Sequence, residues 1–177
     1  MKDLVADSSF YLCFLDDIEC PLDLVEILKK FKAHVSTRIL SEISKSRRAD
    51  KVKKHINIFE EGIPNLGEAL RPFLTQKQID SGESEVLILA YICFNLGISF
   101  VLVIDDKSPR KFVKMNFSYI EDELKYTSEF ITDCCLLYKI FHTEKAISLL
   151  NKVKDSKFRV PEEAVIKEIK KIESYHG

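Results

Sequence analysis

From Glu83 to Asp106 the chain runs through an apolar helix, a glycine stop and an apolar strand, and it ends on two aspartates. The helical part, Glu83 to Asn95, is apolar almost all round, a pattern that belongs inside a core. Asn95-Leu96-Gly97 supplies its C-terminal stop, and Ile98 to Ile104 is the strongest strand in the chain. A shorter strand stands at the N-terminus, where Leu4-Val5-Ala6 stops at Asp7 and turns through Ser8-Ser9 into a helix over Phe10 to Phe14. Strand, helix and strand alternate, which predicts the α/β class: a central, mostly parallel sheet flanked by helices in three layers.

The remaining segments fit that plan. A helix is expected at Leu22 to Phe31 after the break at Pro21, then a brief strand at His34-Val35. Ser36 or Thr37 can cap the next helix, which carries Ile39, Leu40, Glu42 and Ile43. Ile56 to Leu74, with Gly62, Pro64, Gly67 and Pro72, reads as irregular, and residues 75–82 as a polar lead-in to the apolar helix. Further helices are expected from Ser108 to Met115, Ser128 to Phe141 and Thr143 to Val153, with a short strand at Phe117 to Ile120. Pro161 opens a last helix, and the tail from Phe158 onwards is the segment expected to attach most loosely. The organisation expected is one domain over residues 1–155, with 156–177 as its helical extension.

The totals narrow the class of partner. At 177 residues the chain can bury a sizeable core, and its net charge of −1 gives no global pull on a polyanion. Contact with nucleic acid must therefore come from local cations. Arg47, Arg48, Lys51, Lys53 and Lys54 form one cluster, and Lys107, Arg110 and Lys111 form another beside Asp105-Asp106. The five cysteines are odd in number and lack a C-x-x-C pair, as expected of reduced, buried thiols. No signal-peptide pattern is present, and the apolar run Val86 to Phe94 is under half the ~20 residues of a membrane helix. These features predict a cytoplasmic protein without a membrane partner.

Acids at the ends of buried segments carry the chemistry. Taken singly, each has an ordinary structural role: Asp7 as a turn aspartate, Glu83 and Glu85 as acids favoured at a helix N-terminus, Asp105-Asp106 as a cap and its neighbour, Glu42 as a surface glutamate. Together they mean more. A doubly wound sheet sets the ends of the first strand and of Ile98 to Ile104 side by side, so several carboxylates share one cleft. Like charges so placed are costly unless protonated or met by a metal, and oxygen donors suit Mg²⁺ or Mn²⁺.

The ordered set V-A-D-S-S at Asp7, T-R-I-L-S-E-I at Glu42, Gly82-Glu83-Ser84-Glu85 and Val103-Ile104-Asp105-Asp106 resembles the PIN-domain nucleases. The similarity is greatest to the toxin ribonucleases of prokaryotic toxin–antitoxin pairs and covers the chain to about Leu150. It departs in a longer helix after Glu83 and in Tyr126-Thr127-Ser128-Glu129, which replaces a glycine–threonine pair.

This resemblance implies a PIN-like fold and a metal-dependent endoribonuclease. Asp7, Glu42, Glu83 and Asp105 would be catalytic, with Glu85 and Asp106 as further metal ligands and Ser9 supporting Asp7. Which member of Glu83/Glu85 and of Asp105/Asp106 coordinates is open, with Glu83 and Asp105 favoured. Arg47, Arg48, Lys51, Lys107, Arg110 and Lys111 would contact RNA. A small antitoxin and a homodimer are the further partners it implies. The alternatives are a structure-specific DNA nuclease, a PIN-like scaffold without turnover and, last, a flavodoxin-type regulator, for which no glycine-rich phosphate loop follows the first strand.

Overall fold

The computed structural model describes residues 2–59, 70, 81–158 and 160–175. At its centre is an all-parallel sheet of five strands: β1 (Asp3–Ala6), β2 (Lys32–Val35), β3 (Ile56–Ile58), β4 (Phe100–Val103) and β5 (Leu124–Lys125). Their spatial order is β3-β2-β1-β4-β5, with every neighbouring pair parallel. Parallel strands are covered on both faces, which is why β1 and β4 read as unbroken apolar runs rather than alternating ones. All four residues of each are buried.

Helices α1 (Ser8–Leu12), α2 (Pro21–Leu28), α3 (Thr37–Ile43) and α4 (Asp50–Lys53) follow the first two strands. Between α1 and α2 the chain widens into a π-helical turn, Cys13–Asp17. Helices α5 (Ser81–Asn95) and α6 (Lys107–Asn116) touch each other, and α5 packs on β1, β2 and β4. Right-handed crossovers place α1 to α4 on one face of the sheet and α5 and α6 on the other. Helix α7 (Thr127–Leu136) joins the first layer, where Phe130 meets Phe10 and Phe31 edge-on at centroid distances of 5.7 and 5.3 Å. Beyond it lie α8 (Thr143–Asp155) and α9 (Glu162–Glu173).

Local chemistry accounts for the joints. Ser36 Oγ accepts the Ile39 amide at 3.2 Å and caps α3. Helix α5 ends in a Schellman turn: Ile98 N–H donates to the Cys93 carbonyl at 2.9 Å and Gly97 N–H to that of Phe94 at 3.0 Å. Gly97 has φ +65°, the left-handed conformation that this turn requires. Val86 to Ala90 are all completely buried, as the all-round apolar pattern predicts.

Several boundaries differ from expectation. Ile56–Ile58 is an edge strand where irregular chain was expected; residues 60–69 and 71–80, including the expected turns and lead-in, lie outside the described residues. No strand forms at Phe117 to Ile120. A 3-10 turn occupies Ser118–Glu123, and the strand comes after it as β5, only two residues long. The expected loose tail is instead packed: Val165 and Ile172 of α9 are buried against α7 and α8. All five cysteines are buried free thiols. No helix among the described residues is long and apolar enough to cross a membrane.

Candidate active site

The chain leaves β1 for β2 and β3 on one side, then returns to β4 and β5 on the other. The C-terminal ends of β1 and β4 thus flank the switch point, where open parallel sheets bind their ligands. The Asp7 amide donates to the Val103 carbonyl at 3.2 Å, so Asp7 continues β1 alongside Ile104 and Asp105.

Asp7 is both an N-cap and the centre of the site. Its Oδ1 accepts from Ser9 Oγ at 2.6 Å and from the Phe10 amide at 3.1 Å. Both bonds fall on Oδ1, leaving Oδ2 turned to other partners. Burial and then the facing Asp105 push its pKa up to about 7, more than these two bonds and their pull downward can offset.

Asp105 is held differently. Thr127, the first residue of α7, donates its amide to Oδ1 at 2.8 Å and its hydroxyl to Oδ2 at 2.6 Å. Burial lifts Asp105 to about 6, with the Thr127 bonds and Arg110 acting in the opposite direction. The Thr127 contact was not foreseen. Its one sequence signal is the Tyr126-Thr127-Ser128-Glu129 helix start, and only the β4–β5 pairing brings it to Asp105.

A cleft of 100 Å³ is lined by Asp7, Ser8, Ser9, Arg38, Ile39, Glu42, Glu83 and Asp106. It gathers four of the six expected carboxylates from β1, α3, α5 and the loop after β4. Of each open pair, Glu83 and Asp106 line this cleft, while Glu85 and Asp105 do not. Glu85 stays half-buried with Oε2 unpartnered. Asp105 faces a neighbouring cavity, and Asp106 and Ser9 line both. Arg38, which sequence reasoning passed over, puts its Nε 3.5 Å from Glu42 Oε1 and so answers one of the four acids. Among the described residues no three His, Cys, Asp or Glu side chains converge on a common ligating point as they stand. The donor set, oxygen-only with a surplus of negative charge, nevertheless suits a hard divalent cation.

Two of the expected RNA contacts are engaged within the fold. Arg110 is interior: its Nη1 donates to the Ile104 carbonyl at 2.9 Å, and its guanidinium lies 3.4 Å from the Tyr126 ring centroid. It braces the end of β4. Arg48 fastens the π-turn, with Nη1 donating to the Leu15 carbonyl at 3.0 Å and Nη2 2.8 Å from Glu19. Arg47, Lys51, Lys107 and Lys111 are exposed and available to a polyanion. The chain matches no family model, no curated protein and no solved structure.

Proposed function

We propose that this protein is a divalent-metal-dependent endoribonuclease of the PIN type, acting at the cleft between the ends of β1 and β4. The reading is carried by one observation: Asp7, Glu42, Glu83 and Asp106, from four separate segments, line one cleft beside the buried Asp105. Gathering like charges at a switch point is costly, and Asp7 and Asp105 are held there against their own desolvation. In this reading Asp7, Glu42, Glu83 and Asp106 hold Mg²⁺ or Mn²⁺. A divalent cation there supplies Lewis acidity at the phosphate and favours ionisation of the attacking water. The chain's own part is positional: Ser9 and the Phe10 amide orient Asp7, Thr127 and Arg110 fix the end of β4, and Arg38 moderates the charge on Glu42.

The test is cleavage of total RNA with Mn²⁺. Asp7→Asn and Asp106→Asn are each expected to lose more than the ~10–100-fold that removal of an outer-shell partner costs. Wild-type rates in both variants would refute the assignment, and faster cutting of branched DNA would turn it to a DNA nuclease. Toxicity is a separate point, resting on the motif resemblance. Expression in bacteria should arrest growth, and Asp7→Asn should relieve the arrest.

The Arg38–Glu42 pair favours a second reading, a nucleic-acid-binding protein without turnover, because it meets with a built-in cation one acid that a metal would use. Under that reading wild-type protein binds RNA, cuts none with Mn²⁺, and gains no heat of metal binding in calorimetry when Arg38 is replaced by Ala.

A further inference from the structure

Next to the acidic cleft lies a larger cavity of 320 Å³, lined by Ser9, Leu12, Asp17, Asp105, Asp106, Lys157 and Phe158. It shares Ser9 and Asp106 with the cleft, so a ligand spanning both would meet the carboxylates at one end and Phe158 at the other. Its size falls at the lower end of small-ligand sites, about 300 Å³ and up.

Both walls are fixed. On one side the π-turn is closed by Ile18 N–H donating to the Cys13 carbonyl at 2.9 Å and Cys20 N–H to that of Phe14 at 2.7 Å, with Arg48 bound to the Leu15 carbonyl. On the other, Ser156 Oγ donates to the Val153 carbonyl at 2.8 Å and accepts the Phe158 amide at 3.1 Å, which sets Phe158 just past α8. A site built on held walls loses little freedom when a ligand enters.

The lining decides what could enter. Three aspartates against the single cation Lys157 disfavour a phosphate deep in the cavity and leave one a place only at the rim, where Lys157 is exposed. A flat, neutral group with N–H donors fits better, since it can lie on Phe158 and Leu12 while a carboxylate accepts from its edge. Asp17 is placed for that, since it lines the cavity with Leu12 and Phe158.

We propose that this cavity is a nucleobase subsite of an unpaired RNA strand, with the base stacked on Phe158, its donor edge on Asp17 and the adjoining phosphate on Lys157. The proposal rests on the ribonuclease reading and extends it: the enzyme would hold the base beside the bond it cuts, which requires a single strand because a paired base has neither face nor edge free.

Anisotropy of a labelled single-stranded RNA 12-mer in EDTA measures this without cleavage. Base–aromatic stacking predicts that Phe158→Leu, which keeps the packing but not the ring face, weakens binding about five- to 150-fold, while Phe158→Tyr binds like wild type. Lys157→Ala should weaken binding and lower the slope of log affinity against log salt by about 0.7. Duplex RNA of the same sequence should compete poorly. A Phe158→Leu protein with wild-type thermal midpoint and wild-type affinity would overturn the proposal, as would wild-type protein that does not bind the strand. The two readings separate cleanly: RNA cutting with undiminished Phe158→Leu binding removes the subsite alone, whereas Phe158-dependent binding without Mn²⁺-dependent cutting removes the nuclease alone.

Discussion

Asp7 works against the stability of the fold that presents it. A carboxyl raised to about 7 in the fold keeps its proton there, whereas the unfolded chain releases it near the ordinary 3.8. The native state therefore binds more protons between those values, and the metal-free protein should lose stability as pH rises from about 4 to about 7, levelling off above. Asp105, raised to about 6, adds to the same window. Asp7→Asn keeps an Oδ1 acceptor for Ser9 and Phe10 yet removes the charge. It should flatten this slope and exceed wild type by roughly 1–3 kcal/mol at pH 8, read from urea midpoints in EDTA. Thr127→Val should cost about 1–3 kcal/mol, because it takes a buried hydroxyl donor from Asp105, and Thr127→Ser should cost little. Asp7 was legible in sequence because a strand stopping on Asp-Ser-Ser is a local signal. Thr127 and the interior role of Arg110 were not, since each depends on a partner supplied by tertiary packing: the Asp105 carboxylate, and the Ile104 carbonyl with the Tyr126 ring.

At the level of elements, α5 is deeply buried along Val86 to Ala90. Leu87 is fully buried within α5, and Leu87→Ala should cost about 2–5 kcal/mol in denaturant unfolding, with the spread set by how far the cavity collapses. The alternation of strands and helices was plain from apolar runs, because a parallel sheet covered on both faces needs uninterrupted hydrophobicity in β1 and β4. The edges escaped that logic. β3 spans three residues and β5 two, so neither has room for a period to show, and Ile58 in β3 is exposed. Short edges also give little backbone for another chain to pair with. That Glu83 lines the cleft and Glu85 does not follows from helical rotation, since Glu85 sits two residues on, about 200° round the helix.

For the whole molecule, the tail is the informative part. Helix α9 buries Val165 and Ile172 against α7 and α8, and the segment before it carries Phe158 to the cavity beside the acidic cleft. A protein ending at Ser156 should melt at a lower temperature by circular dichroism and bind single-stranded RNA no better than Phe158→Leu does. A near-neutral chain can hold an acidic site and still approach a polyanion because its cations are placed locally, as Lys107 and Lys111 are. The pairing of β1 with β4 has a last consequence, one of timing. Asp3 registers with Phe100, and Asp105 accepts two hydrogen bonds from Thr127, so the site closes a loop of about a hundred residues before it exists at all. A chain still emerging from the ribosome carries Asp7 and Glu42 with nothing opposite them. If the cleft is the seat of an activity, that activity must wait until most of the chain has been made.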